Sequence, residues 1–101
     1  MNSNIDLKSR LDRTQARKAL SKMLMLNPNC VCYGSHFKER LTERQMIMGD
    51  VLNVLHEGKI ENDAEFENGQ WRYRVATHKM TIVISFGDHD KIRLITCWRN
   101  K

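Results

Sequence analysis

Proline occurs once and glycine five times in these 101 residues, which excludes collagen-like and proline-rich architectures. No apolar run approaches the ~20 residues of a membrane-spanning helix. No basic stretch running into an apolar one opens the chain, so no secretory leader is read. Cysteine is scarce: Cys30, Cys32 and Cys97 form an odd set, unlike the paired cysteines of a secreted scaffold. Cys30-x-Cys32 followed by His36 lacks both the spacing of roughly two to four residues and the further ligand pair that a structural zinc site needs. A Gly-rich phosphate loop, H-E-x-x-H and G-x-S-x-G are all missing. The expectation is a cytoplasmic protein with reduced thiols, Cys97 buried in a strand, and no metal or cofactor.

What is present is ordinary globular material: 41% hydrophobic and 29% charged residues, enough for one domain over 1–101. The net charge is +5 and unevenly spread. Residues 1–31 carry six bases and two acids (+4), and residues 32–58 three and four (−1). Residues 59–69 carry one and four (−3), and residues 70–101 seven and two (+5). Two basic blocks flank an acidic middle, a distribution suited to nucleic acid or an acidic protein.

Helical spacing dominates the first half. Leu7, Leu11, Ala16, Ala19, Leu20, Met23 and Leu24 form one stripe, with Met25 and Leu26 at its margin, and leave Lys8, Arg10, Arg13, Arg17, Lys18 and Lys22 outside it. This predicts a basic helix of roughly twenty residues, within residues 1–28, started by Ser3 or Asp6 and stopped by Asn27-Pro28-Asn29. Its bases read as a solvated face or as an arm for RNA or a partner. Ser35 reads as the cap of a second helix, from His36 to about Arg44, with Phe37 and Leu41 inward and His36, Arg40 and Arg44 on one other face. Gly49-Asp50 opens a third helix carrying Val51, Leu52, Val54 and Leu55, and Gly58 stops it.

After Gly58 the period changes to two. Lys59–Phe66 is a modest strand, and Asn68-Gly69 signals a hairpin. Trp71, Tyr73 and Val75 alternate with Arg72, Arg74 and Ala76. Met80, Ile82, Ile84 and Phe86 alternate with Thr81, Val83 and Ser85. After a turn at Gly87-Asp88-His89-Asp90, Ile92, Leu94, Thr96 and Trp98 alternate with Arg93, Ile95 and Cys97. Short turns demand antiparallel neighbours. The fold expected is therefore α+β: N-terminal helices on one face of a four-stranded antiparallel sheet.

The informative constellation is S-H-F-K-E-R-L-T-E-R at 35–44, an imidazole and guanidiniums on one helix face. Arg72-Tyr73-Arg74 and Thr96 add strand groups. Metal-free RNA cleavage needs a base for the 2′-hydroxyl, cations on the phosphate and an acid for the leaving oxygen. Taken in order, S-H-x-x-x-R-x-x-x-R, then D-V-L-x-V-L-x-x-G-x-I at 50–60, R-Y-R-V at 72–75, I-V-I-S at 82–85 and I-x-L-I-T-x-W at 92–98 resemble a bacterial family of uncharacterised small domains. That family shares the fold of barnase, EndoU, colicin-type RNases and RelE-like toxins. The resemblance covers residues 33–98, the α+β core, and leaves the basic N-terminal helix outside it. Met48 stands where similar sequences often carry a capping Ser or Thr.

The resemblance implies a metal-independent endoribonuclease, often the toxin of a toxin–antitoxin pair, cleaving through a 2′,3′-cyclic phosphate. It implies His36 as general acid or base, Arg40 and Arg74 on the scissile phosphate, and Thr96 bonded to a phosphate oxygen. Arg44 and Arg72 would add substrate contacts, Arg72 and Arg74 being alternatives for one strand position. Tyr73 would stack a base or assist proton transfer. RNA, free or ribosome-bound, and an acidic antitoxin are the implied partners. The alternative is a non-enzymatic nucleic-acid- or protein-binding module of a mobile element. Residues 37–57 make a poor DNA reader, because the third helix bears Asp50 and Glu57 and no arginine. Convergence of His36, Arg40, Arg74 and Thr96 in one cleft separates the enzyme from the binding module.

Overall fold

The computed structural model describes residues 7–87 and 90–100. Helix α1 spans Arg13–Leu26; a 3-10 turn over Pro28–Cys30 leads into strand β1, Val31–Tyr33. Helices α2, Ser35–Glu43, and α3, Met48–Glu57, follow, then β2, Glu65–Glu67, β3, Gln70–Ala76, β4, Met80–Phe86, and β5, Ile92–Arg99.

The α+β class matches the expectation, but the sheet does not. It has five strands in the order β1-β5-β4-β3-β2. Strands β2 to β5 form the antiparallel meander, and β1 adds in parallel to β5, pairing Val31 with Ile92 and Tyr33 with Leu94. The sheet is mixed because helices α2 and α3 and three strands separate β1 from its partner, ample chain for a crossover. The expected strand over 59–66 shrinks to a single bridge between Lys59 and Ala76 and the three residues of β2. Asn68 (φ 51°) and Gly69 (φ 80°) both take the left-handed conformation, which a two-residue hairpin turn of this hand requires.

Helix α1 is shorter than its apolar stripe. Asp12 accepts from the Gln15 backbone N–H at 2.7 Å, and the Gln15 side chain accepts from the Asp12 N–H at 3.0 Å. This reciprocal cap starts the helix at Arg13. Ser3 and Asp6, the caps expected from the sequence, lie outside the described residues, as does the Asp88-His89 pair of the last turn. Ala16, Ala19, Leu20 and Leu24 are buried as the spacing predicts, whereas Met25 and Leu26 are exposed. Ser35 is the first residue of α2, and Gly34 occupies the cap position without a side-chain bond. Asp50 caps α3 by accepting from the Ile47 N–H at 3.0 Å. Gly58 ends α3 at φ −73°. Its lack of a side chain matters through space, since a Cβ there would lie 2.5 Å from the Val54 carbonyl oxygen.

One hydrophobic core joins the three helices to one sheet face. It contains Leu20, Phe37, Leu41, Val51, Val54, Leu55, Tyr73, Val75, Ile82, Ile84, Leu94 and Cys97 among others. Cys97 is buried in β5, as expected. Among the described residues, the opposite sheet face bears no helix.

Two basic side chains read as part of a solvated face or binding arm instead hold the structure together. Arg17 donates to the Leu55 carbonyl at 2.6 Å and the Gly58 carbonyl at 2.7 Å, closing the C-terminus of α3. Burial lowers its pKa, partly opposed by the charge of Glu57. Arg13 donates to Asp63 at 3.1 Å, with Arg10 also near that carboxylate. The acidic middle of the chain thus meets the first basic block directly.

Candidate nucleic-acid interface

The helix-free face is defined by the sheet register. Alternation along β3 turns Tyr73 and Val75 toward the core and Arg72 and Arg74 away from it. Along β4 it turns Thr81, Val83 and Ser85 outward. Strand β5 keeps Arg93 outward, opposite Ser85, and then loses phase. Val83 pairs with Thr96 but Ile84 pairs with Leu94, so Ile95 is an extra residue, a β-bulge. The expected grouping of Ile92 and Leu94 with Thr96 and Trp98 is therefore corrected. Ile92, Leu94 and Cys97 enter the core, and Thr96 and Trp98 join Arg93 on the open face.

Rows of partners now cross that face. Arg74, Val83 and Thr96 form one row. Arg93 stands between Ser85 on β4 and Cys32 on β1 in the next. The Arg74 guanidinium lies over the Trp98 ring, 5.7 Å from its centroid, a cation–π arrangement. Two carboxylates of β2 reach onto the same face: Glu65 pairs with Arg74 at 3.3 Å and Glu67 with Arg72 at 3.4 Å. Arg93 is exposed and has no ion pair among the described residues. Thr81 donates its hydroxyl to the Asn100 side-chain oxygen at 2.9 Å.

The remaining residues singled out by sequence lie elsewhere. Helix α2 packs Phe37 and Leu41 into the core, so it sits on the helical side of the sheet. His36 is exposed in its first turn. Arg40 is ion-paired with Glu43. Arg44 ends the helix, and its carbonyl accepts from the Arg99 side chain at 3.0 Å. Arg40 and Arg44 both lie near enough to Cys97 to oppose the upward shift that burial gives its thiol. Tyr73 is 1% exposed, and its hydroxyl accepts from the Leu11 backbone N–H at 3.0 Å. Burial is the main cause of its raised pKa. That ring is a core wall tying the start of α1 to the sheet and is closed to a nucleic-acid base.

Arg72, Arg74 and Thr96 thus share one face, while His36, Arg40 and Arg44 are divided from them by the sheet. Open hollows occur on the surface of the described residues. One runs along α2 past Ser35, Lys38, Glu39, Thr42 and Glu43; another lies among Glu57, Lys59, Glu61, Thr77 and His78. Neither is lined by the four residues whose convergence the enzyme reading requires. Sequence reasoning missed Ser85, Arg93 and Trp98 as members of a site. The outward alternation of Ser85 was visible, but its pairing with Arg93 depends on strand register, which no local motif carries.

Compared with known proteins, the chain matches no family model, no curated protein and no solved structure.

Proposed function

We propose that the protein binds single-stranded RNA along the helix-free face of its sheet. One observation carries this reading: Arg72, Arg74, Arg93, Thr96 and Trp98 are gathered by register onto a single face that no helix of the described residues covers. Guanidiniums engage phosphates, the hydroxyl donates to phosphate oxygens, and an indole supplies a stacking surface, the combination that single-strand binders use. Phosphate contacts through three arginines release counterions, which gives a log–log salt slope of about −2 for single strands. Fluorescence anisotropy with a short single-stranded RNA over a salt series tests this. The expected result is that slope, with affinity reduced in Arg74→Ala and Arg93→Ala. Binding that ignores those two substitutions, or a flat salt response, overturns the reading.

Metal-independent cleavage of the bound RNA, as in a toxin, is a second reading. It is supported by Arg74 and Thr96 sharing one row of the face, where both can grip a phosphate. A chelator-treated cleavage assay on the wild type and His36→Ala separates it from simple binding. Because His36 lies across the sheet from that row, cleavage on this face is expected to survive His36→Ala, and an inert wild type leaves the binding module. On either reading an acidic antitoxin-type protein would compete with RNA for the same arginines.

A further inference from the structure

The geometry points to a phosphate subsite at the centre of this face, built by the Ser85 hydroxyl and the Arg72 Nε–H and completed by Arg93. Its physiological occupant, a backbone phosphate, rests on the RNA-binding reading. Ser85 is wholly buried in the middle strand, yet among the described residues its Oγ has no hydrogen-bond partner; nor does the buried Nε of Arg72. Buried polar atoms in proteins are nearly always partnered. Here two unpartnered ones share one face: Tyr73 and Ile84 are the last pair of the β3–β4 ladder, and Arg72 and Ser85 are the next residue along each strand.

Both atoms can donate, and Nε–H can do nothing else. The missing partner is therefore an acceptor. An anionic oxygen fits best, because the Arg72 guanidinium is already positive and Arg93 stands on the other side of Ser85 as its cross-strand partner in β5. A phosphodiester offers two such oxygens, and arginine binds phosphate in a forked, two-point manner. Gly87, two residues beyond Ser85 on the same face, places no side chain there, and Arg93 is exposed. Glu67 holds the Nη1 of Arg72 at 3.4 Å and leaves Nε unengaged.

The test is a titration of the full chain with inorganic phosphate, followed by NMR at the Arg72 Nε–H and the Ser85 amide, beside Ser85→Ala and Arg72→Lys. The expected result is saturable shifts at both positions. Ser85→Ala should weaken phosphate binding about tenfold, the scale of one hydrogen bond to a charged group, with an unlowered melting temperature. Arg72→Lys, which keeps the charge and loses the fork, should weaken it comparably. Silence at Arg72 Nε–H, or undiminished affinity in folded Ser85→Ala, overturns the subsite. A parallel titration with single-stranded RNA separates the two proposals. Phosphate saturation without RNA binding sinks the RNA reading and leaves the subsite. RNA binding with Ser85 and Arg72 unperturbed does the reverse.

Discussion

On β4, Ile82 and Ile84 face the helices, while Thr81, Val83 and Ser85 face away from them, and all five side chains are less than a tenth exposed. The inner pair is covered by helices and joins the single core. The outer three lie on a face without a helix, beside the long side chains of Arg72, Arg74 and Trp98. A helix-packed cover cannot leave without unfolding the domain. A cover of flexible side chains can be exchanged for a ligand. Burial alone therefore does not distinguish core from binding surface; the nature of the cover does.

The sharpest test of this contrast compares neighbours on one strand. Ile82→Ala is expected to cost about 2–5 kcal/mol, because it opens a cavity among helices that cannot collapse around it. Val83→Ala is expected to cost about 1 kcal/mol, since flexible neighbours can settle into the space. Equal losses in urea denaturation would show that the two faces are packed alike.

Two arginines offer the next comparison. Arg17→Ala strips two carbonyls at the end of α3 of charge-assisted partners, an expected loss of about 1.5–3 kcal/mol. Arg74→Ala removes a half-exposed side chain, with an expected change of no more than about 0.5 kcal/mol, and its effect falls on RNA affinity instead. Thermal melts beside anisotropy decide whether structural and binding arginines separate this way.

Core-facing groups also set a pH signature. Burial raises the pKa of Cys30, Cys97 and Tyr73 above ordinary values of 9.0, 9.0 and 10.0. The unfolded chain then releases these protons at lower pH than the folded chain. Stability is expected to hold through neutral pH and fall from about pH 9 upward. Melts between pH 7 and about pH 11 check this, and Tyr73→Phe should flatten the upper part of the decline.

The smallest effect concerns the acidic edge. Glu65→Gln with Glu67→Gln breaks two ion pairs whose carboxylates are exposed, each worth about 0.2–1 kcal/mol at most. RNA affinity is expected to rise by a few fold, because carboxylates no longer compete for Arg72 and Arg74. A fall in affinity would mean that the glutamates position the arginines rather than occupy them.

The inner face was largely legible in the sequence. Phe37 and Leu41, Val54 and Leu55, Tyr73 and Val75 all fall where helical or alternating spacing puts them, since period alone reports one-sided burial. Strand β1 was not legible, being three residues whose strand partner, β5, lies far along the chain. The bulge at Ile95 was hidden because no glycine marks it. It reversed Thr96 and Trp98 relative to Leu94, and with them two of the five residues of the candidate site. Tyr73 and Arg17 read as functional or solvated because their partners, Leu11 and the end of α3, are set by tertiary packing.

The parallel pairing of β1 with β5 has a consequence for how the domain assembles. The β2–β3 and β3–β4 hairpins close short loops, whereas Val31 meets Ile92 only after most of the chain lies between them. Long-range closure is entropically costly and slows folding. The meander is placed to form the nucleus, with β1 added late as a clasp along the edge of β5. Substitutions at Val31 should then speed unfolding and spare the folding rate, while those at Ile82 should slow folding itself. Stopped-flow kinetics of the two variants would show whether the clasp closes last.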